Sequence, residues 1–98
     1  MVRDTYAYRQ VAVESCVLGK AVCIRPIPGQ AYSPTLSVQC SRRLSNLYPV
    51  GTRFLLSAKL TDRLGGTPFL YAYHGDPDIV LSARQAKVFL AEFRRGRI

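Results

Sequence analysis

The chain has 98 residues and a mass of 10.9 kDa, which is room for one domain with one core, spanning 1–98. Hydrophobic residues make up 48% and charged residues 20%, which is too apolar for a disordered tail. Fourteen Lys and Arg against six Asp and Glu give a net charge of +8, and no apolar run approaches the roughly 18–20 residues of a membrane span.

Tyr6 to Leu18 reads as a first strand. Val11, Val13 and Val17 alternate with Ala12, Glu14 and Cys16, a period of two with the odd positions apolar. Gly19-Lys20 sits between this run and the next, and Gly at the first central position suits a two-residue hairpin turn. The hairpin sets Leu18 against Ala21, Val17 against Val22, Cys16 against Cys23, Ser15 against Ile24 and Glu14 against Arg25. It collects Val11, Val13, Val17, Val22 and Ile24 on one face and pairs Glu14 with Arg25 across the other. One long strand kinked at Gly19 is the alternative.

Pro26 to Pro34 carries three prolines and a glycine and reads as a loop. Thr35 to Cys40 alternates again, with Leu36, Val38 and Cys40 on one face, and is the third strand. Ser41 caps a short helical turn containing Arg42, Arg43, Leu44 and Leu47, which Pro49 ends. Arg53 to Thr61 is the fourth strand, with Phe54, Leu56, Ala58 and Leu60 on one face. Asp62 to Gly66 is a loop, and Phe69 to Tyr73 is the fifth strand. His74 to Asp78 is a turn. Ser82 and Gln85 have capping-box spacing and open a C-terminal helix, residues 82–95, with Ala86, Phe89, Leu90 and Phe93 as its apolar stripe.

The order β-β-β-(short turn or helix)-β-β-α fits a mainly β, β-rich α+β domain. It is that of a small five-stranded, OB-like or partly open barrel, with the C-terminal helix packed on the sheet or barrel.

Catalysis finds little support. His74 is the one imidazole, beside Asp76 and Asp78 in a segment whose Gly, Asp and Pro suit a turn. Cys16, Cys23 and Cys40 form no CxxC pair, and a single His leaves a protein-only zinc site short of ligands. An odd number of thiols suits a reducing compartment, the cytoplasm, although the hairpin register also brings Cys16 and Cys23 within reach of a bridge. The Arg bias and the scarcity of Asn fit a GC-rich, bacterial genome. No catalytic residue, metal site or cofactor is assigned.

Aromatic and basic residues are the informative set. Arg53, Lys59, Tyr71 and Tyr73 lie on the fourth and fifth strands, Arg63 lies in the loop between them, and Arg42 and Arg43 lie in the short turn. Single strands of nucleic acid bind where bases stack on rings and cations follow the phosphates. Tyr6, Tyr8 and Arg9 make a second cluster. The competing reading, favoured by the alternation, is that Phe69, Tyr71 and Tyr73 form the core face of their strand, leaving Leu70 and Ala72 outside. The expectation is a non-enzymatic domain that binds nucleic acid, preferably single-stranded. The alternative is a protein-interaction module, a homodimer included, using an exposed sheet face with Leu55, Leu64 and Leu70 or an edge strand.

Overall fold

The computed structural model describes residues 8–62 and 66–94. Its elements run β1 (Arg9–Leu18), β2 (Ala21–Pro26), β3 (Val38–Gln39), α1 (Arg43–Asn46), β4 (Arg53–Thr61), β5 (Phe69–Ala72), β6 (Val80–Leu81) and α2 (Ala83–Arg94). Five strands form a nearly closed mixed barrel in the order β2-β1-β4-β5-β3, and β6 adds to β4. All pairs are antiparallel except β3 with β5. β2 and β3 approach each other but share no ladder, so the wall gapes between them.

The β1–β2 hairpin has the expected register at every pair from Leu18↔Ala21 to Glu14↔Arg25. Gly19 has φ +65°, a conformation that L side chains rarely adopt. Two details differ from expectation. Val17 and Val22 share the inward face with Val11 and Val13 but stand exposed, because the hairpin runs past the end of the core. Glu14 pairs with Arg53 of β4 at 3.2 Å instead of Arg25, whose guanidinium donates to the Thr35 carbonyl. Glu14 lies opposite both arginines, one on each neighbouring strand.

β2 ends at Pro26 because the next segment has few donors. Ile27 N–H still reaches the Ala12 carbonyl at 3.0 Å, but Pro28 has no N–H to offer. The Gln30 side chain takes over. Its Nε2 donates to Ala12 O at 2.6 Å and its Oε1 accepts from Ala12 N at 3.1 Å, so the β1 backbone stays satisfied.

β3 is shorter than the alternation predicts. Ser33 and Thr35 lock a local turn by side-chain bonds, and only Val38 and Gln39 join the ladder. Leu36 and Cys40 nevertheless pack on the core with Val38, as their shared face requires. The Ser41 hydroxyl accepts from Arg43 N–H at 3.3 Å, next to the Arg42 N-cap. β6 has no sequence signal: its two residues are held by β4, through Arg53↔Leu81 and Phe54↔Val80.

The core is the barrel interior: Val11, Val13, Ile24, Val38, Leu44, Phe54, Leu56, Ala58, Leu70 and Ala72. The reading that placed Phe69, Tyr71 and Tyr73 inside is overturned. Residues directly opposite in an antiparallel pair share a face, and β5 sets Leu70 against Leu60 and Ala72 against Ala58. Leu70 is therefore fully buried and the tyrosines point outward. A small barrel alternates small and large residues inside, and the Ala58–Ala72 pair leaves room for Phe54 and Leu70 but not for three rings.

α2 packs on β1 and touches β6, and Ala12 of β1 and Ala86 of α2 are both buried. Its first turn carries the full reciprocal cap. Gln85 N–H donates to Ser82 Oγ at 3.1 Å, and Ser82 N–H donates to Gln85 Oε1 at 2.8 Å. Among the described residues no helix is long and apolar enough to cross a membrane.

Candidate functional site

Strand alternation builds the site on the barrel's outer surface. With Phe54, Leu56 and Ala58 inside, Lys59 must point out; with Leu70 and Ala72 inside, so must Tyr71. β4 and β5 pair Lys59 directly with Tyr71, and β5 and β3 pair Tyr71 with Gln39. Extending the β1–β4 register one step past Arg9↔Ala58 brings Tyr8 to the level of Lys59. The Lys59 ammonium lies over the Tyr8 ring, 5.5 Å from its centroid. One row thus crosses β4, β5 and β3 and reaches the residue before β1: Tyr8, Lys59, Tyr71, Gln39. At about 4.8 Å per strand it is roughly 14 Å long.

His74 extends the row. Its ring stacks on Tyr71 with centroids 5.9 Å apart and planes inclined at 26°. Tyr73 folds back over the following turn, so close to Gly75 that a β-carbon there would stand 2.6 Å from Tyr73 Cε1. Beyond His74 lies the gap between β2 and β3, a cleft of about 400 Å³ that Arg42 also lines.

The cations of the sequence reading scatter. Lys59, Tyr71 and Tyr73 fall on or beside the row. Arg42 lines the cleft next to it. Arg43 is tied to Asp78 at 3.0 Å. Arg53 is bound to Glu14 and lines a groove under α2 with Ala86, Lys87 and Leu90. Six residues of strand, about 20 Å, separate it from Lys59. Arg63 lies outside the described residues. Tyr8, from the second cluster, joins the row through the β1–β4 pairing, which no local pattern in the sequence encodes. His74 joins as a stacking ring.

Of the two aspartates beside His74, Asp78 is engaged elsewhere. The Asp78 carboxylate is occupied by Arg43 and accepts from the Tyr48 hydroxyl at 3.4 Å. Burial first, and then the Asp78 charge, push the Cys40 thiol up to about 11, so it stays protonated and unreactive at neutral pH. Cys16, Cys23 and Cys40 are free thiols. Among the described residues no group of three or more His, Cys, Asp or Glu could hold a metal ion. Leu55 lies half-buried on the outer face, as expected, whereas Leu70 is core, so Leu70 cannot belong to the apolar sheet face of an interaction module; Leu64 lies outside the described residues. Comparison with protein-family models, with curated proteins and with solved structures finds no match to this chain.

Proposed function

We propose that this protein binds nucleic acid, preferably single-stranded, and acts by binding rather than by catalysis. The row Tyr8–Lys59–Tyr71, with His74 stacked on Tyr71, carries the reading. It alternates rings with a cation on a rigid outward face, the combination that stacks bases and tracks phosphates without reading sequence. Sheet-mounted side chains are held by the ladder, so the platform is formed before the ligand arrives. We read the strand order, with β3 parallel to β5 and an opening between β2 and β3, as that of an OB-like barrel, a class that binds nucleic acid on its outer strands. Net charge of +8 raises the encounter rate with polyanions. Three free thiols suit a reducing, cytoplasmic location.

Fluorescence anisotropy with labelled single- and double-stranded DNA and RNA, from about 50 to 200 mM salt, tests the reading. Single strands should bind more tightly than duplexes and retain affinity at about 150 mM. Absence of binding at the lowest salt refutes it.

A second reading, a protein-interaction module, has its own observation. Val17 and Leu18 at the hairpin tip are 59% and 57% exposed, and Val22 beside them is also exposed. Gly51 N–H bonds to Ser15 O at 3.0 Å, which brings exposed Val50 to the same end of the barrel. An apolar end of this kind suits a protein partner or a second copy. The variant that tests it is Leu18→Glu, since Leu70→Glu would place a charge in the core. A sedimenting dimer that Leu18→Glu converts to monomer favours this reading; a monomeric parent disfavours self-association.

A further inference from the structure

We propose that the cleft between β2 and β3 receives one unpaired nucleobase from a strand lying across the Lys59–Tyr71 row; the inference rests on the nucleic-acid reading. Because β2 and β3 form no ladder, a cleft opens at this seam of the barrel, lined on its apolar side by exposed Val22 and by the core residues Ile24 and Val38. The cleft's volume of about 400 Å³ falls at the lower end of the roughly 300–1,000 Å³ typical of small-ligand pockets. That suits one nucleotide rather than a longer segment.

The polar groups are placed for a base with its phosphate. Ser37, Gln39, Ser41 and Ser45 line the cleft; the Ser41 hydroxyl accepts from Arg43 N–H and the Ser45 hydroxyl donates to the Arg42 carbonyl, which leaves the Ser41 proton and a Ser45 lone pair to meet a base edge. Arg42 lines it too and can meet a phosphate with a planar pair of N–H groups. Among the described residues that line the cleft none is acidic. Burial, and then the Asp78 charge, hold the Cys40 thiol protonated, so the thiol itself adds no charge to the cleft.

Continuity with the row identifies the occupant. His74 belongs to both: it lines the cleft and stacks on Tyr71, which lies opposite Lys59. Gln39 likewise ends the row and lines the cleft. A strand stacked on Tyr71 therefore passes the mouth of the cleft, and turning one base inward covers Val22, the exposed member of its apolar lining. An inserted peptide strand fits worse, since β2 and β3 are already near neighbours and leave no width for a third strand between them.

The test combines methyl NMR of the full chain with anisotropy. A short oligothymidylate and the four nucleoside monophosphates are the probes, and Val22→Trp is the variant. Val22 is exposed on β2, so a Trp there fills the cleft without entering the core; a melt and a dispersed spectrum establish that the variant is folded. The expected result has three parts. The oligonucleotide shifts the Val22, Ile24 and Val38 methyls. An abasic residue at one position of the oligonucleotide, and not at others, removes those cleft shifts and weakens binding between about fivefold and 150-fold. Val22→Trp weakens the intact oligonucleotide to a similar degree but leaves the abasic one unaffected.

Oligonucleotide shifts confined to residues around Lys59 and Tyr71, with Val22→Trp binding as tightly as the parent, overturn the base pocket and leave the nucleic-acid reading standing. Monophosphates that shift the cleft methyls while no oligonucleotide binds overturn both the strand path and that reading. No shift with any probe overturns both as well.

Discussion

Tyr71→Ala separates the binding role of the row from its structural role. Tyr71 is half-buried on the outer face, between core residues Leu70 and Ala72. Its removal strips the stack with His74 and the cross-strand contact with Lys59. An outward cross-strand pair is worth about 0.2–1 kcal/mol, so the variant should remain folded. A base stacked on the ring is worth about 1–3 kcal/mol. With 1.4 kcal/mol per factor of ten, Kd for a single strand should rise about fivefold to 150-fold at fixed salt. Tyr71→Phe keeps the ring and should bind as the parent does. Leu70→Ala, one residue away, should do the reverse and cost about 2–5 kcal/mol of stability, because it opens a cavity in the core opposite Val38. Anisotropy at about 150 mM salt and urea unfolding on the same samples read the two effects. A folded Tyr71→Ala protein with unchanged affinity refutes the platform.

The other expectations follow from the same geometry. Lys59→Gln should lower the salt dependence of single-strand binding, log K against log[salt], by about 0.7, the contribution of one phosphate contact. Arg53→Gln should leave that slope unchanged, because Arg53 is bound to Glu14 far down β4; equal effects of the two variants would contradict the scatter of cations described above. Ser82→Ala removes the acceptor for Gln85 N–H and should cost about 0.5–2 kcal/mol by urea unfolding, without altering affinity. Cys40 sets a pH limit. Between its ordinary value of 9.0 and its folded value of about 11, the unfolded chain releases the thiol proton and the folded chain keeps it. Stability should fall as pH rises through that window and be indifferent to Cys40 below it. Cys40→Ala should flatten this part of the curve relative to the parent, and parallel curves above pH 9 would contradict the burial that raises the thiol.

Much of the fold lies in local chemistry. The odd-numbered valines of β1, Gly19 at the turn and the polar–apolar alternation of β2 admit one register, and a slip by one residue would turn the valines to the wrong face. Ser82 and Gln85 carry the start of α2 in their spacing, since each satisfies the other's backbone N–H. The alternation of β4 fixes Phe54, Leu56 and Ala58 together on one face wherever the strand packs. These features need no distant partner.

What required the tertiary structure is whatever two distant segments settle jointly. The alternation of β5 is symmetric, apolar on both faces, so its own sequence cannot say whether Leu70 or Tyr71 is buried. Pairing with β4, and the narrow interior that the Ala58–Ala72 pair shares with Phe54, decides it. β6 exists because β4 offers it an edge. Glu14 chooses between two arginines that reach it from different strands. Tyr8 and Lys59, 51 positions apart, meet because β1 and β4 pair, and the β2–β3 cleft arises because two consecutive strands, held by different neighbours, come close without joining. Composition and spacing determined a basic, β-rich chain with rings and cations in neighbouring strands. Long-range pairing alone decided which of them share a face, because a side chain's face is set by the strand beside it.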